Sequence, residues 1–321
     1  MAETQSAKAT SALARPSSRS KAAKADKAVA GGRPNGELGS PIMAVSRLIL
    51  YLGFTLLLLP VQIVAVAFKL PLAKRLPYWY HRRCRRLIGL RVVRRGRQSR
   101  EHPTLYVANH VSYLDITVLG SLIQGSFVAK AEAADWPRFG ALAKLQRSVF
   151  GDRKRHNTHV GRDEMTRRLE AGDDLILFPE GTSGDGNRVL PFRSALFSVA
   201  EKRPHGAPLK VQPVSVAYTL LDGFPMGRFL RPFFAWYGDM DLVSHMWQGM
   251  GLGRLTVVVE FHPPVTIDDF GSRKALAYHC WHEGSEGISA ALVGRSRRQI
   301  AARADNKPPP PEGEVPAVGG A

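Results

Sequence analysis

The sequence is poor in cysteine and in acidic residues. Its 321 residues include two cysteines, Cys84 and Cys280, too few for a disulfide framework, and this favours a cytosolic or cytosol-facing protein. Lys and Arg number 45 against 27 Asp and Glu, so the net charge of +18 predicts an anionic partner. Hydrophobic residues make up 44% of the chain, which excludes wholesale disorder. A membrane surface and a nucleic acid both fit the charge, so a basic nucleic-acid-binding protein is the alternative at this point.

The two ends of the chain lack regular hydrophobic periodicity. Residues 1–41 are rich in Ala, Ser, Lys and Gly, and we expect a disordered, mildly basic tail there. Residues 303–321 contain four consecutive prolines, 308–311, and predict a second, Pro-rich disordered tail. Internal repeats are also missing from the sequence.

One segment is strongly apolar. From Leu48 to Phe68 the chain has 21 residues without a charge, enough to cross a hydrocarbon layer of about 30 Å as a helix. We therefore predict a membrane-anchoring helix over residues 42–69. Gly53, Pro60 and Gln62 interrupt the run, so a kinked or re-entrant segment is an alternative to a single span. A buried helix of a soluble domain is the less favoured interpretation, because no other segment is as long or as apolar.

The segment after this run, residues 70–100, lacks acidic side chains. Twelve Lys or Arg lie between Lys69 and Arg100, and no Asp or Glu occurs between Glu37 and Glu101. By the positive-inside rule, we expect the large C-terminal part of the chain on the cytoplasmic side. Basic residues near a bilayer are attracted to anionic lipid by about 1 kcal/mol each. Interleaved Leu, Tyr and Trp side chains favour an interfacial amphipathic helix, with an RNA-binding arm as the alternative.

Residues 90–302 alternate short β-rich runs with helix-like stretches. Such alternation predicts one α/β domain with a largely buried sheet. The predicted strands are Leu105–Ala108, Ser126–Ala129, Ser148–Phe150, Leu175–Phe178, Val211–Tyr218 and Leu255–Phe261. The clearest predicted helices are Leu114–Ile123 and Thr158–Ala171.

The first polar motif is Asn109-His110-x4-Asp115, between a predicted strand and an apolar helix. Ser112 is predicted as the helix N-cap with Asp115 as its acidic partner. Asp115 can then reach back to His110, and an imidazole held by a carboxylate is suited to act as a general base. The alternatives are a carboxylate that only caps the helix and an ordinary loop histidine. A metal site is not expected, because no second His or Cys lies nearby at ligand spacing.

The second polar motif runs from Phe178 to Gly184 as Phe-Pro-Glu-Gly-Thr-Ser-Gly, after another predicted strand. Its glycines allow a tight turn and close backbone approach to a ligand. Arg188 and Arg193 follow, so exposed amides and arginines could form an anion cradle, unless this is an ordinary Gly-rich loop. The stretch is not a G-x-S-x-G nucleophile elbow, because position 185 is Asp.

Together the two motifs resemble the signature of the glycerolipid acyltransferases, the lysophosphatidic acid acyltransferase family. Two weaker blocks, Val149–Arg153 and Val211–Val214, also resemble that family, and the four occur in order over roughly residues 90–265. The resemblance implies an α/β fold. A single acyltransferase domain with a mixed sheet flanked by helices would follow an N-terminal membrane helix.

The resemblance also implies a reaction. His110 would take the proton from a lysolipid hydroxyl as it attacks a fatty acyl thioester, carried by acyl carrier protein or coenzyme A, and Asp115 would orient His110. No cofactor, metal or nucleic acid is implied, and the expected location is the bacterial inner membrane, facing the cytoplasm. Glu180 is expected to shape its loop rather than touch a phosphate. The residues expected to bind or position the acceptor are Asn109, Arg153, Glu180, Gly181, Thr182, Arg188 and Arg193.

One departure from the family pattern bears on the acceptor. The family often has Arg directly after Phe-Pro-Glu-Gly-Thr, where this chain has Ser183. That removes a candidate phosphate contact, although Arg188 or Arg193 could substitute. The longer run from Phe178 to Phe197 resembles a bacterial branch that includes lyso-ornithine lipid acyltransferases. Lyso-ornithine lipid is therefore the favoured acceptor, with lysophosphatidate as the alternative.

Overall fold

The computed structural model describes residues 39–130, 139–151 and 158–295. The predicted C-terminal tail, residues 303–321, lies outside the described residues, as do residues 1–38 of the predicted N-terminal tail. Arg153, one of the predicted acceptor-binding residues, also lies outside them.

Helices and strands alternate through the domain. The helices are α1 Pro41–Ala67, α2 Leu72–Leu87, α3 Leu114–Gly120, α4 Phe139–Leu145, α5 Thr158–Glu170, α6 Leu242–Gly251 and α7 Arg273–Leu292. The strands are β1 Leu90–Gly96, β2 Thr104–Ala108, β3 Gly125–Lys130, β4 Val149–Gly151, β5 Asp174–Leu177, β6 Lys210–Leu221, β7 Phe224–Pro225 and β8 Leu255–Phe261. Each of the six predicted strands corresponds to one of these, whereas β1 and the short β7 were not predicted.

The strands form one mixed sheet in the order β1-β8-β6-β2-β5-β3-β4, with β7 paired to β6. Strands β6, β2, β5, β3 and β4 are mutually parallel, and β8 pairs antiparallel with β6 and parallel with β1. The prediction of a mixed sheet flanked by helices is confirmed. Because β2 lies between parallel β5 and β6, its carboxyl end opens beside theirs, where ligands usually bind in open α/β sheets.

Strand β2 is buried on both faces of the sheet. Tyr106 and Ala108 belong to an apolar cluster that includes residues of α3, and Leu105 and Val107 belong to a second cluster with residues of α5 and α7. Helices therefore cover both faces, which explains why the β2 sequence is apolar without alternation. The buried α3 residues of the first cluster are Val118 and Leu119, so these two side chains are core residues.

Helix α1 lies along the domain for its whole length. At its start, the Ser40 amide donates to the Gly251 carbonyl of α6 (2.9 Å). In its middle, the hydroxyls of Thr55 and Tyr80 are 2.8 Å apart, and near its end Gln62 Nε2 donates to the Leu145 carbonyl (2.7 Å). The helix continues through Pro60 without a break and is long and apolar enough to cross a membrane.

The outer face of α1 is exposed and apolar. Only Ala44, Gln62 and Ala65 of this helix are buried. The exposed large apolar side chains of α1 are Ile42, Val45, Ile49, Leu50, Leu52, Leu56, Leu57, Val61, Ile63 and Val64. An apolar patch of this size on a helix surface is typical of a membrane or protein contact.

The basic segment 70–100 contains two different elements. Its first part is helix α2, which buries Ala73, Leu76, His81 and Cys84 and exposes most of its arginines. Its second part is β1, an edge strand paired in register with β8. The arginines of β1 therefore belong to a strand of the sheet, where charged side chains also protect an exposed edge from further pairing.

Candidate active site

The two polar motifs meet at the carboxyl end of β2. The amide of His110 donates to Glu180 Oε1 (3.0 Å), and the amide of Gly184 donates to the His110 carbonyl (2.9 Å). Residues 110 and 184 are far apart in the chain, and the parallel pairing of β2 with β5 brings their loops together. The motif that follows β5 thus fixes the backbone of His110 on both sides.

The Asp115 carboxylate is fully buried and accepts four hydrogen bonds. Its Oδ2 accepts from the amides of Val111 (2.7 Å) and Ser112 (2.9 Å) and lies 2.9 Å from His110 Nδ1. Its Oδ1 accepts from the Tyr218 hydroxyl (2.6 Å). Burial and the nearby Asp115 charge raise the pKa of Tyr218 well above its ordinary value, so this phenol stays a donor. Donors on both oxygens fix the orientation of the carboxylate.

The His110 ring is held between this carboxylate and an aromatic face. It stacks on Phe178 with a centroid separation of 4.3 Å and an interplanar angle of 20°. Its bond to Asp115 uses Nδ1, so Nδ1 carries the proton and Nε2 is the basic nitrogen. Among the described residues Nε2 has no hydrogen-bond partner, and the side chain is 22% exposed. This arrangement can take a proton from a bound hydroxyl.

The predicted N-cap at Ser112 is half correct. The backbone amide of Ser112 does donate to Asp115, as in a capping box. However, the Ser112 hydroxyl is buried without a partner in the described part of the chain, and the residue before the first turn of α3 is Tyr113. At the start of α3 the capping contact is therefore made by the Asp115 carboxylate alone, which also bonds the His110 ring.

The Glu180 carboxyl is buried beneath the His110 turn. Burial, and to a smaller degree the Asp115 charge, raise the pKa of Glu180 to about 8, although bonds from the amides of His110 and Leu190 oppose the shift. Glu180 is therefore mostly protonated at neutral pH. Its contact with the His110 amide joins the two loops, and the role of Glu180 in shaping its loop stays a prediction.

Asn109 does not fit the predicted role in acceptor binding. Its side chain is buried, with Oδ1 accepting from the Val216 amide (2.8 Å) and Nδ2 donating to the Val216 carbonyl (3.0 Å). The amide group thus imitates a peptide unit and continues the β2–β6 pairing by one step. Because both polar atoms are used, Asn109 holds the strand from which His110 projects.

The other predicted binding residues lie on the loop after β5. Gly181 has a φ of +72°, a left-handed conformation that favours glycine. Thr182, Arg188 and Arg193 are exposed, and the Arg193 amide donates to the Pro179 carbonyl (2.9 Å). The structure therefore brings the loop to His110 but gives these three side chains no described contact with the His110 ring.

Sequence reasoning missed two groups of residues near His110. Tyr218 was placed on a predicted strand without a role, although a tyrosine hydroxyl in a buried apolar strand needs a polar partner. The segment around Arg231 and Trp236 was also missed. The Ser183 hydroxyl donates to the Trp236 carbonyl, and Arg231 Nε donates to Asn187 Oδ1 (2.8 Å). Neither group has a local motif, because the partners lie 44, 53 and 103 residues away in sequence.

The described residues contain no group of three or more His, Cys, Asp or Glu side chains that could hold a metal ion.

The chain resembles acyltransferases in sequence and in fold. Residues 89–217 match the model of the family described as Acyltransferase. The chain is 42% identical over 247 residues to the lyso-ornithine lipid O-acyltransferase of Brucella abortus, covering 76% of this chain and 92% of that protein. It is 34% identical over 177 residues to a 1-acyl-sn-glycerol-3-phosphate acyltransferase of Neisseria gonorrhoeae, covering 54% and 64% of the two chains.

A solved structure shares the fold. The 1-acyl-sn-glycerophosphate acyltransferase PlsC from Thermotoga maritima aligns with a TM-score of 0.53 at 21% identity, covering 79% of this chain and 99% of that one. At this identity the likeness establishes the fold only. The sequence matches go further, and they show that this chain belongs to the acyltransferase family and is an acyltransferase.

Proposed function

We propose that this enzyme transfers a fatty acyl group from a thioester to the free hydroxyl of a lysolipid, with His110 as the general base. The observation that carries the proposal is the pair formed by His110 and Asp115. The buried carboxylate accepts four hydrogen bonds, one of them involving the His110 ring. Such a carboxylate orients the imidazole and stabilises the imidazolium that forms when Nε2 takes a proton.

The proposed reaction has two steps. As Nε2 of His110 accepts the proton of the acceptor hydroxyl, that oxygen attacks the thioester carbonyl carbon and forms a tetrahedral adduct. The adduct then collapses: the carbon–sulfur bond breaks, an ester forms, and the thiolate takes the proton from His110. The products are an acylated lipid and a free thiol, on acyl carrier protein or coenzyme A. No acyl-enzyme intermediate is required.

An apolar recess supports the acyl part of this proposal. A cavity of about 80 Å³ lies between α1, α3 and α6. Tyr113 and Leu114, three and four residues after His110, line it together with Tyr51 and Phe234. A recess this small holds only a few methylene groups, so the remainder of an acyl chain would continue along apolar surface toward the bilayer.

Lyso-ornithine lipid is the acceptor we favour, with lysophosphatidate second. Two observations support this order. The similar proteins of higher identity are named lyso-ornithine lipid O-acyltransferases, from Brucella abortus and Rhizobium meliloti, at 42% and 40% identity. In addition, Ser183 stands where a phosphate-binding Arg would be expected, and its hydroxyl donates to the Trp236 carbonyl instead.

The helix α1 is proposed to lie in one leaflet of the membrane instead of crossing it. Its 27 residues would span about 40 Å, yet polar contacts tie its start, middle and end to the domain. A spanning helix would leave its domain at one end. A helix that lies in one leaflet can keep one side on the protein while its exposed apolar face contacts lipid.

The side of the membrane follows from charge. Exposed arginines of α2, next to α1, include Arg75, Arg82, Arg83 and Arg86. They would bind anionic lipid of the cytoplasmic leaflet of the bacterial inner membrane. The rival proposal of nucleic-acid binding rests on net charge alone, whereas membership of the acyltransferase family favours a lipid partner.

The activity is tested with purified full-length protein in lipid micelles. Acyl carrier protein and coenzyme A thioesters are supplied in turn with lyso-ornithine lipid or lysophosphatidate, and the lipid products are identified by mass spectrometry. We expect ornithine lipid as the main product. Failure to acylate either lysolipid with either donor would contradict the proposed function.

The membrane placement has its own test. Leu56→Lys together with Leu57→Lys puts two charges on the exposed outer face of α1, and we expect the variant to move from the membrane to the soluble fraction. Val293→Lys, at another exposed apolar position, is the matched control and should stay on the membrane. If α1 crosses the bilayer instead, cysteines substituted at its two ends lie on opposite sides of the membrane. A membrane-impermeant thiol reagent would then label each cysteine from a different side.

A further inference from the structure

Two loops form a charged surface beside the His110 turn. The first is residues 183–187 after β5, and the second is residues 228–236 after β7. The Ser183 hydroxyl donates to the Trp236 carbonyl, and the Trp236 amide donates to the Val111 carbonyl (3.0 Å). The second loop is therefore attached to Val111 and to the first loop, and the Gly184 amide of the first loop bonds the His110 carbonyl (2.9 Å).

Gly186 allows the two loops to approach Val111 closely. Its φ is +76°, and a Cβ at this position would lie 3.1 Å from Val111 Cγ1 and 4.0 Å from Arg231 Cβ. A side chain here would crowd Val111 and would also be strained by the positive φ, whereas Arg231 lies at an ordinary contact distance. The close approach thus places the base of the Arg231 side chain next to the turn that carries the general base.

The side-chain amide of Asn187 bonds both the Arg231 guanidinium and the Asp185 carboxylate. Asn187 accepts a hydrogen bond from Arg231 Nε (2.8 Å) through Oδ1, and its Nδ2 donates to Asp185 Oδ2 (3.1 Å). The Asn187 amide also donates to Asp185 Oδ1 (3.0 Å). Among the described residues, no hydrogen bond occupies the two terminal nitrogens of Arg231. They are the pair of donors that a planar carboxylate would accept in a bidentate contact.

The signs of these charges discriminate between head groups. A phosphate monoester needs cations only, and the Asp185 carboxylate would repel it. An acylated diamino acid such as ornithine carries a carboxylate and an ammonium on one small group, so it needs one cation and one anion. Arg228, whose carbonyl accepts from Asn187 Nδ2 (3.3 Å), adds a second positive charge that acts on Arg231. A phosphate bound by Arg231 and Arg228 is therefore the competing outcome.

We propose that Arg231 and Asp185 form the head-group site for a zwitterionic amino-acid lipid. Arg231 takes the α-carboxylate, Asp185 takes the side-chain ammonium, and Asn187 sets the spacing between them. This inference rests on the proposed lysolipid acyltransferase function and assigns the specificity of that site. Arg231 and Asp185 act on binding and orientation, while the proton transfer belongs to His110.

The experiment compares the wild type with Arg231→Gln on two acceptors. One is lyso-ornithine lipid, and the other is its carboxamide, in which the carboxylate is neutral. A charge-assisted contact predicts that Arg231→Gln raises KM for lyso-ornithine lipid about 10- to 100-fold with little change in kcat. The wild type should show a similarly raised KM for the carboxamide, and Arg231→Gln should not raise that KM further.

The second half of the experiment removes the other charge. Asp185→Asn should raise KM for lyso-ornithine lipid but leave unchanged the KM for the norvaline analogue, which lacks the side-chain ammonium. The same variant should improve transfer to lysophosphatidate. Arg231→Lys keeps the charge without the fork and should fall between the wild type and Arg231→Gln. Arg273→Gln, which removes an exposed arginine near Glu201, is the matched control and should behave as wild type.

The outcomes separate this inference from the proposed function. One outcome is that the wild type acylates lyso-ornithine lipid while Arg231→Gln raises KM for this lipid and for its carboxamide by the same factor. In that case the head-group assignment is wrong and the activity stands. If Arg231→Gln and Arg228→Gln instead raise KM mainly for lysophosphatidate, the loops bind phosphate and the assignment is also wrong. If no lysolipid is acylated by the wild type, the proposed function itself fails.

Discussion

Strand β2 has a His–Asp pair at each end, and only one pair has the surroundings of a general base. Before the strand, His102 Nδ1 lies 3.0 Å from both oxygens of Asp174. After the strand, His110 Nδ1 lies 2.9 Å from Asp115 Oδ2. Both carboxylates are buried, so the distance between ring and carboxylate does not distinguish the pairs.

The surroundings of the two pairs differ. The side chain of His102 is 57% exposed, and it borders a polar cavity of about 460 Å³ at the amino ends of the strands. Apart from His102, Asp174 accepts from the Thr104 amide (2.8 Å), and burial raises its pKa against the effect of those two bonds. His110 is instead stacked on Phe178, and Asp115 has two amides and a phenol as further donors. The fixed ring of His110 and the four hydrogen bonds of Asp115, more than the His–Asp distance, therefore favour His110 as the proposed general base.

The largest expected effect comes from removing the His110 ring. His110→Ala should lower kcat for acyl transfer by about 10²–10⁴-fold, the usual contribution of a general base. His102→Ala is the matched control and should retain wild-type kcat within about twofold, since its ring is exposed and not at the carboxyl end of the sheet. Transfer of a radiolabelled acyl group measures both. Equal losses in the two variants would remove the distinction between the pairs.

Neutralising the carboxylates extends the comparison. Asp115→Asn keeps the shape but neither stabilises an imidazolium nor guarantees the tautomer of His110, so kcat should fall about 100-fold or more. Asp174→Asn should leave kcat near that of the wild type. Thermal unfolding of both variants tests whether they remain folded. A normal kcat in a folded Asp115→Asn variant would contradict the proposed role.

Removing the Tyr218 hydroxyl tests the orientation of Asp115 separately from its charge. Tyr218→Phe leaves Asp115 Oδ1 buried without this donor, which should lower the free energy of unfolding by about 1–3 kcal/mol. We expect kcat to fall about 10-fold, because Asp115 then holds His110 less rigidly. The matched control is Tyr106→Phe in the same apolar cluster. Its hydroxyl accepts a longer hydrogen bond from Gln98 Nε2 (3.3 Å), and urea unfolding should show a smaller loss.

The smallest effect concerns pH and Glu180. Its pKa in the folded protein is about 8 against an ordinary value of 4.5, so the folded state binds the proton more tightly. Its contribution to stability is fully present below pH 4.5 and is lost as the pH rises toward 8. Glu180→Gln removes this titration and should flatten the decline of Tm between pH 5 and 8. Glu201→Gln, at an exposed ion pair, should keep the wild-type slope.

The part of the site that sequence could predict is the part encoded locally. His110 and Asp115 lie five residues apart on a strand-to-helix turn, so the sequence alone shows a histidine close to a carboxylate. Tyr218 and Arg231 reach the site only because β6 lies beside β2 and because Gly186 permits a close approach. Such contacts depend on strand order, which local patterns do not encode.

The fold shows the same division. Runs of β-branched residues predicted the central strands, because strands buried on both faces are apolar throughout. Strand β1 escaped prediction because its sequence, Leu-Arg-Val-Val-Arg-Arg-Gly, merges with the preceding basic run. The length of α1 was predicted, whereas its position along the domain depends on contacts such as that of Gln62 with Leu145.

The attachment of Asp115 to three parts of the fold has a consequence for evolution. This carboxylate ties the turn after β2, the first turn of α3 and the middle of β6 together. Mutations that loosen it should harm folding and turnover together, so selection for either one preserves both. The loops around Asp185 and Arg231 make none of these hydrogen bonds with Asp115. If the proposed head-group site is correct, we expect acceptor preference to change through mutations in these loops while the His110–Asp115 pair is retained.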